Sequence, residues 1–466
     1  MENIFINREK ELEFLEKKYK ENSAQLIILY GRRRIGKTFL IKKFIENKKA
    51  IYFLSTKEKE EVQAKEMSKL IGKFFNDAAL IINPFSTYSQ IFEYLSNKSK
   101  ERIVFVIDEF GYMLSSSPHI ASVLQKFWDE HLSKTKIFII LSGSTISLME
   151  SLVSQRNPLY GRRTGQWKLD AFKFSDLRKL LKEKDIEDVM KCWFVTNGIF
   201  FYSKEFKNFK NFNDFLLNTF FNKGHIFYEE GRVLISDELG EVPTYFSILS
   251  AVAKGKLRQV EIANEIGIKP TSLTRYLENL LRLNFVRKEI PITEKEKSKK
   301  TFYKFNDNFL HFWFKFVYPN KSLVEEGKIE EIKKILTNEL NTFFGEKFEE
   351  LIRKNIRAFV SFEVEKVGRV WGYYRDKKTN ERKTYEIDIV ALNEKTKEIL
   401  FAECKWEDEV NAEKILFELK RKAELVNWNR GKRKEYYAIF AKSFKEKIEE
   451  PGLKLFDLNS LEKLLV

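Results

Sequence analysis

Short apolar runs alternate with amphipathic segments over the first 170 residues of the chain. Runs such as Gln25–Tyr30, Arg102–Ile107 and Ile137–Leu141 have the length and composition of strands that are buried on both faces of a sheet. The segment that follows the first run, Lys37–Glu46, has helical periodicity. Strands that alternate with helices predict an α/β fold with a parallel sheet.

The pattern changes between residues 171 and 330, where helical periodicity replaces most of the apolar runs. Three successive short helices and then two strands are predicted, at Pro243–Ala253, Leu257–Ile266, Thr271–Leu283, Phe285–Pro291 and Thr301–Phe305. The second helix is expected to bury Val260 and Ile262, and Gly267 turns the chain into the third helix. Two helices joined by a short glycine turn and followed by a hairpin predict a winged-helix domain.

A third pattern covers residues 331–466, where a helix near Leu340–Ile356 precedes several strands. The later elements are predicted at Phe362–Glu365, at Val370–Tyr374, in a hairpin of residues 385–392 and 399–406, in a helix near Asn411–Val426 and in a strand at 436–441. This order predicts a second α/β domain.

Composition and charge narrow the class of protein. The 466 residues suggest about three domains at roughly 150 residues each. The chain has 84 Lys and Arg against 68 Asp and Glu, and its net charge of +16 favours a polyanionic partner or, equally, a solvated surface rich in Lys and Glu. Two widely separated cysteines exclude a disulfide framework and a cysteine-based zinc ribbon. Because no apolar run approaches roughly 20 residues and the N-terminus has no apolar segment, we expect a cytoplasmic protein that does not bind membranes.

Residues 31–38 carry a phosphate-loop motif directly after the first predicted strand and directly before a predicted helix. The motif G-x-x-x-x-G-K-[ST] is formed by Gly31, Arg32, Arg33, Arg34, Ile35, Gly36, Lys37 and Thr38. Its backbone N–H groups and the helix N-terminus are expected to hold the phosphates of ATP. Lys37 is expected to reach the β- and γ-phosphates, and Thr38 is expected to bind Mg²⁺.

An acidic pair, Asp108 and Glu109, follows the predicted strand Arg102–Ile107. Apolar residues followed by Asp-Glu form the Walker-B pattern, in which Asp108 would hold Mg²⁺ through water and Glu109 would polarise the attacking water. The alternative is a chance loop together with a chance acidic strand end. The order of the two motifs, each at the carboxyl end of a strand, favours a nucleotide site.

Two further segments are weaker candidates for the same site. Ser144 follows the predicted strand Ile137–Leu141, where its hydroxyl group would lie near the γ-phosphate, although a plain Ser/Gly turn explains it equally well. Arg162 and Arg163 lie in a predicted loop. An arginine there would stabilise the charge of the transition state, and a surface arginine pair is the alternative.

These residues carry a resemblance to a known family. The segments FINREKEL (Phe5–Leu12), GRRRIGKT, FVIDEF, LSGS and PLYGRRTG, in this order, resemble the archaeal ATPase family of the AAA+-related, signal-transducing P-loop branch. The resemblance covers about the first 240 residues. It implies that Asn7 and Arg8 lie near the adenine, that Ser144 and Arg162 act as sensors, and that a helical lid follows the ATPase core.

The candidate winged helix carries short polar residues on the outer side of its third helix. They are Thr271, Ser272, Thr274, Arg275, Glu278 and Asn279. The segment Arg287–Lys304, which contains the candidate wing 292–300, has seven Lys and Arg against three acids. Such a surface suits contact with the DNA backbone more than sequence-specific readout. The alternative is a winged helix that only packs between domains.

The predicted C-terminal hairpin brings two carboxylates and a lysine together. Its turn is expected at Asn393–Glu398, and a simple antiparallel register then pairs residues whose numbers add to about 791. Asp388 therefore falls opposite Glu403, and Lys405 shares the face of Glu403 because side chains alternate along a strand. Two carboxylates that hold Mg²⁺ and a lysine that orients water are what phosphodiester hydrolysis needs.

This block resembles the restriction-endonuclease-like nucleases. Asp388, Glu403 and Lys405 match their D…(D/E)-x-K pattern over roughly residues 335–445. The resemblance adds Glu349 on the first helix as a metal ligand, and Glu386 is an alternative ligand on the face of Asp388. Ile387 stands where these nucleases often have proline. The alternative is a structural Glu403–Lys405 ion pair or a nuclease site that has lost activity.

Four segments follow from these patterns. We predict a P-loop ATPase core at 1–170, a helical lid at 171–240, a winged helix at 241–330 and a restriction-endonuclease-like domain at 331–466. The leading hypothesis is a DNA-associated ATPase with a Mg²⁺-dependent nuclease domain. The rival is a slow ATP-dependent switch whose C-terminal domain docks a partner or DNA without chemistry. An arginine that acts in trans would require a homo-oligomer.

Overall fold

The computed structural model describes residues 7–240, 243–294, 300–376 and 380–465. The chain folds into two compact units. The first unit contains the described residues up to Phe172 together with Ile199–Tyr202. The second contains Lys173–Gly198 and the described residues from Ser203 onward. The predicted segments FINREKEL and 292–300 lie partly outside the described residues.

The first unit is a parallel α/β sheet with helices between its strands. Its elements are α1 (Glu9–Lys20), β1 (Gln25–Tyr30), α2 (Lys37–Ile45), β2 (Ala50–Leu54), α3 (Glu60–Phe75), α4 (Ala78–Ile82), α5 (Tyr88–Lys98), β3 (Val104–Asp108), α6 (Phe110–Ser116), α7 (Ile120–Glu130), β4 (Phe138–Gly143), α8 (Ile146–Leu152) and β5 (Gly165–Lys168). The strand order is β2-β3-β4-β1-β5, and all its pairs are parallel. The predicted parallel α/β fold is confirmed.

The order of the strands explains why some apolar runs of the sequence are buried along their whole length and others are not. Every residue of the central strands β1, β3 and β4 is buried, because helices cover both faces of a parallel sheet. The edge strand β2 alternates between buried and partly exposed residues. Because β4 lies between β1 and β3, the segments that follow these three strands meet at one edge of the sheet.

The second unit begins with helices. They are α9 (Phe174–Leu180), α10 (Ile186–Thr196), α11 (Phe200–Glu205, which begins in the first unit), α12 (Phe212–Thr219), α13 (Ile226–Leu239), α14 (Pro243–Ala253), α15 (Gln259–Ile266) and α16 (Pro270–Arg282), followed by the antiparallel hairpin of β6 (Val286–Glu289) and β7 (Phe302–Phe305) and then by α17 (Asn308–Phe312), α18 (Lys321–Glu325) and α19 (Ile329–Asn355). Much of the 43-residue phenylalanine content packs ring on ring here. Phe220, for example, lies 4.7 Å from Phe312 and 5.1 Å from Phe227 between ring centroids.

One expected core residue of this unit lies outside its core. Ile262 and Ala263 of α15 are fully buried, but Val260 is 58% exposed, so the prediction that it is buried was wrong. Val260 precedes Ile262 by two residues, which is about 200° around a helix and therefore on the other side. The helix ends at Gly267 with φ +73°, and Pro270 is the first residue of α16.

The unit ends with a mixed sheet. The elements of this part of the chain are β8 (Lys366–Arg375), β9 (Arg382–Asn393), β10 (Glu398–Lys405), β11 (Val410–Asn411), α20 (Ala412–Ala423), β12 (Lys434–Ala441), β13 (Phe444–Glu446), β14 (Leu453–Phe456) and α21 (Leu458–Leu465). In the order β14-β12-β10-β9-β8, the pairs β8–β9 and β9–β10 are antiparallel, and β10–β12 and β12–β14 are parallel. The short strands β11 and β13 pair with each other in a separate sheet.

The strand predicted at Phe362–Glu365 does not form. One strand, β8, begins at Lys366 opposite Leu392. The residues before Glu365 therefore run past the end of β9, where no neighbouring backbone is in register to pair with them.

Within the described part of the chain, no helix is both long enough and apolar enough to cross a membrane.

Candidate functional site

The phosphate-loop residues form the turn between β1 and α2. Arg34 and Gly36 have φ angles of +67° and +99°, so the loop bends through left-handed backbone and then delivers the open N-terminus of α2. Lys37 is buried, and its Nζ donates to the carbonyl oxygens of Gly31 (2.8 Å) and Arg32 (3.0 Å). The ammonium group therefore lies inside the loop, where phosphate oxygens would compete with these carbonyls. Of the other loop residues, Ile35 is buried and Arg33 is half-buried.

The structure brings together the two residues predicted to hold Mg²⁺ beside the phosphates. The Thr38 hydroxyl group donates to Asp108 Oδ2 at 2.9 Å, and Asp108 is buried. Two protein oxygens at a phosphate loop fit Mg²⁺, which takes few protein ligands and completes its octahedron with phosphates and water.

Sequence reasoning missed Tyr52, which donates its hydroxyl group to the same Asp108 oxygen at 2.5 Å. Burial and the neighbouring Asp108 carboxylate raise the pKa of Tyr52, so this group stays a hydrogen-bond donor. A tyrosine within the otherwise apolar strand β2 was the available signal.

Glu109 and Ser144 are also brought together. Glu109, at φ +53°, directs its Oε2 to the backbone N–H of Ser144 (3.0 Å) and to its hydroxyl group (2.7 Å). The contact follows from the strand order, because Glu109 follows β3 and Ser144 follows the adjacent β4. Ser144 thus orients the candidate general base.

Arg162, the predicted sensor, and its neighbour Arg163 have other partners in this structure. Arg162 pairs with Asp129 on α7 at 2.9 Å and donates to the carbonyl oxygen of Pro158. The Arg163 guanidinium lies 4.3 Å from the ring centroid of Tyr160. Neither of these pairings includes a residue of the phosphate loop or of the acidic strand end.

Arg8 contacts the backbone of the phosphate loop. It is buried and donates to the carbonyl oxygens of Ile35 (3.0 Å) and Asp170 (2.7 Å), while its guanidinium lies 5.2 Å from the ring centroid of Phe172. Arg8 therefore anchors the loop. Asn7 precedes it with φ +49°, in a conformation that asparagine tolerates.

The second candidate site lies on the hairpin of β9 and β10. The register runs from Glu398 opposite Asn393 to Ala402 opposite Ile389, as the sequence predicted. One step further, Asp388 accepts a hydrogen bond from the backbone N–H of Cys404 at 3.0 Å, next to Glu403. Asp388 and Glu403 are 9% and 3% exposed.

Burial, together with repulsion between carboxylates, sets the electrostatics of this site. Burial and the nearby Asp388 carboxylate raise the pKa of Glu403 to about 7. The same two causes raise the pKa of Glu349, on α19, to about 8. Three carboxyl groups from α19, β9 and β10 therefore lie close enough to oppose one another's ionisation, which a bound cation would relieve.

Side chains with positive charge surround these carboxyl groups. Lys405 Nζ lies 3.4 Å from Glu403, and Lys422, on α20, donates to Glu403 at 2.7 Å. Arg369, on β8, pairs with Glu349 at 3.3 Å and also contacts Glu386. These pairs partly neutralise the negative charge of the carboxyl groups.

Sequence reasoning missed Lys422 and Arg369 for different reasons. Lys422 lies in the basic last turn of α20, which is typical of a solvated helix end. Arg369 lies on β8 where the register shifts, because one residue of β8 there faces two residues of β9, Asp388 and Ile389, and a regular pairing would not have predicted its neighbours.

Metal geometry is incomplete at both sites. Over residues 7–240, 243–294, 300–376 and 380–465, no three His, Cys, Asp or Glu side chains form a group that could hold a metal ion. Asp388 and Glu403 supply two carboxylates of the hard-oxygen type that Mg²⁺ takes, and their donor chemistry fits that ion.

The chain is similar to known proteins over its whole length. Residues 5–202 match the sequence profile of an ATPase domain found predominantly in Archaea, and residues 313–415 match a profile of archaeal and bacterial proteins of unknown function. An uncharacterized protein of Methanocaldococcus jannaschii is 36% identical over 466 residues, which cover 98% of this chain and 99% of that protein.

Two further similarities concern parts of the chain. An uncharacterized ATP-binding protein of the same organism is 74% identical over 46 residues, 10% of this chain and 78% of that protein. Among solved structures, a Walker-type ATPase of Pyrococcus abyssi has the same fold over 66% of this chain and 96% of its own, with 20% identity and a TM-score of 0.51.

Proposed function

Because the chain belongs to the archaeal ATPase family and is an ATPase, we propose that its first unit hydrolyses ATP with Mg²⁺ and that its second unit acts on DNA. The phosphate-loop N–H groups and Lys37 bind the phosphates, and Glu109 accepts a proton from the attacking water. Thr38 and Asp108 would hold Mg²⁺, which would shield the phosphate charge. The anchoring of the loop by Arg8 and of Glu109 by Ser144 supports this assignment.

For the second unit we propose Mg²⁺-dependent hydrolysis of DNA at Asp388, Glu403 and Lys405. The observation that carries this proposal is the convergence of Asp388 and Glu403 beside Lys405 at the end of the β9–β10 hairpin. The order of a helix, three antiparallel strands, a helix and a parallel strand is also what a restriction-endonuclease-like domain needs.

Each residue of this site has a role that its position supports. Asp388 and Glu403 would hold Mg²⁺, which would stabilise phosphate charge and lower the pKa of a water. Glu349, which the resemblance adds as a third ligand, pairs with Arg369. Lys405 orients that water or neutralises the charge that develops on the phosphate. Lys422 positions the Glu403 carboxylate.

We propose that α14, α15, α16 and the β6–β7 hairpin act as a winged helix that holds the DNA backbone. Thr271, Ser272, Thr274 and Arg275 of α16 are exposed, while its buried side carries Leu273, Leu277 and Leu280. The loop end of the hairpin has a separate, structural role, because Glu289 pairs there with Arg353 on α19 at 2.9 Å.

The rival function is an ATP-dependent switch whose C-terminal domain docks a partner without chemistry. Glu403 pairs with two lysines, and Glu349 pairs with Arg369. These pairs favour the rival function, since the cations neutralise part of the negative charge that would bind a metal ion. The two functions differ in whether the acidic site acts on a phosphodiester.

Cleavage of labelled single- and double-stranded DNA in Mg²⁺ or Mn²⁺ distinguishes them. We expect Asp388→Ala and Lys405→Ala to lose cleavage by about 100-fold or more, because the first removes a proposed Mg²⁺ ligand and the second removes the cation that stabilises developing charge. Asp408→Ala is the matched control, since Asp408 is exposed and pairs with Lys442. The proposed nuclease would be wrong if wild type, tested with and without ATP, cleaved neither DNA while its ATP turnover was intact.

A further inference from the structure

We propose that an aromatic and arginine surface beside the acidic site binds single-stranded DNA. This surface, here called the stacking track, consists of Arg258, Phe302, Trp371, Tyr373 and Arg382. The inference rests on the proposed action on DNA, and it specifies that the DNA that reaches the acidic site is single-stranded.

The track lies on the same face of the mixed sheet as the acidic site. Trp371 is opposite Glu386 and Tyr373 is opposite Thr384, and residues that are opposite each other point to the same face. Asp388 shares this face because it follows Glu386 by two residues. Tyr373 therefore lies about four strand positions, or roughly 13 Å, along the face from Asp388.

The track consists of flat groups that contact one another. The rings of Phe302 and Trp371 are stacked, with centroids 4.8 Å apart and planes at 9°. Arg258 lies 5.6 Å from the Phe302 centroid and donates to the Tyr373 hydroxyl group at 3.1 Å. Arg382 lies 3.9 Å from the Tyr373 centroid. The result is an alternation of aromatic and guanidinium planes.

Such an alternation fits an unpaired strand. Bases stack on aromatic rings whatever their sequence, and arginines contact both the bases and the phosphates between them. Tyr373 is 45% exposed, and Arg258 and Arg382 are exposed, so a strand can reach these groups. In a duplex the bases are stacked on one another inside the helix, and their faces cannot reach the track.

The position of the track also links two parts of the second unit. Arg258 is the N-cap residue of α15, and Phe302 begins β7, so both belong to the candidate winged helix. The backbone N–H of Ile292, just beyond β6, donates to the carbonyl oxygen of Arg369 on β8 at 2.9 Å. A strand bound along the track would thus lead from the winged helix toward Asp388.

Fluorescence anisotropy of a labelled 20-nucleotide oligo-dT, with the full-length chain in EDTA, tests the track without requiring cleavage. We expect Tyr373→Ala and Arg382→Ala each to weaken binding about 10-fold, in line with the loss of one stacking contact. The affinity of either variant for a 20-base-pair duplex should fall by no more than about 2-fold. Phe417→Ala and Arg421→Ala, which change exposed residues of α20, are the matched controls and should bind as wild type does.

Further comparisons keep this test decisive. Tyr373→Phe retains the ring and should bind oligo-dT as wild type does, which separates stacking from misfolding. Equal losses for single strand and duplex, wild-type binding by both alanine variants, or tighter binding of an oligo-U RNA would overturn the proposal. If DNA were never cleaved and binding still depended on Tyr373, the nuclease would fail and the track would stand.

Discussion

Glu109 is held by both the backbone N–H and the hydroxyl group of Ser144, and this contact links the carboxyl ends of β3 and β4. The sequence predicted that each of these residues follows a strand, but it did not predict the order of the strands in the sheet. The contact between Glu109 and Ser144 follows from that order, because β4 lies next to β3. A residue that orients another is thus harder to find from sequence than a motif residue.

Glu109→Gln should lower the rate of ATP turnover by about 100-fold and leave ATP affinity within about 3-fold, because the amide keeps the size of the side chain but cannot accept the proton. Phosphate release and equilibrium binding of a fluorescent ATP analogue measure the two effects. Glu101→Gln, at an exposed pair with Lys49, is the control. Unchanged turnover in Glu109→Gln would remove Glu109 from the reaction.

His311 should make the second unit sensitive to acid. It is buried against the ring of Phe305, at 4.8 Å between centroids, and burial together with the charge of Lys347 lowers its pKa to about 3. The unfolded chain takes up the proton near pH 6.5, so the stability that neutral His311 contributes is complete above pH 6.5 and is lost as the pH falls toward 3.

His311→Phe should remove this loss. The free energy of unfolding of wild type should fall by up to about 1.4 kcal/mol per pH unit more than that of the variant between pH 6 and pH 4. Urea unfolding at several pH values measures the difference, with the exposed His131→Phe as control. Parallel pH profiles of His311→Phe and wild type would show that the imidazole is not the group that titrates.

At the scale of elements, the β9–β10 hairpin shows which structural features can be predicted from the sequence. Its register was predictable because a short turn fixes the pairing of both strands. Asn393 makes that turn, since its Oδ1 accepts from the N–H groups of Lys395 (2.9 Å) and Thr396 (3.0 Å). The bulge opposite Arg369 was not predictable in this way, because it depends on how two strands pair. The exposure of Val260 follows from helical spacing and could have been predicted.

Asn393→Ala should therefore destabilise the second unit by about 1 to 3 kcal/mol, since it removes both turn contacts and the hydrogen bond from Nδ2 to the carbonyl oxygen of Glu363. Thermal unfolding followed by tryptophan fluorescence measures the change. Asn341→Ala, at an exposed position of α19, should change the free energy of unfolding by less than about 0.5 kcal/mol. If the two variants unfolded at the same temperature, the turn contacts would not hold the hairpin.

At the scale of the whole molecule, one chain joins an ATPase unit to a second unit that carries the acidic site, the candidate winged helix and the stacking track. The parallel sheet and the nucleotide motifs could be predicted because they are local patterns along the chain. The stacking track could not, because its residues come from the N-cap of α15 and from β7, β8 and β9, which only tertiary packing brings together. The division into a lid at 171–240, a winged helix at 241–330 and a nuclease-like domain at 331–466 stays a prediction.

The rate of DNA cleavage by the full-length chain, measured with and without ATP in wild type and in Lys37→Ala, tests most directly whether the two units act together. We predict that ATP changes the wild-type rate several-fold. Lys37→Ala should keep the ATP-free rate and lose the response, because Lys37 lies in the phosphate loop of the first unit and not at the acidic site, whereas Lys43→Ala, at an exposed pair with Glu46, should respond as wild type does. A wild-type rate that is the same with and without ATP would contradict a nuclease under the control of the ATPase.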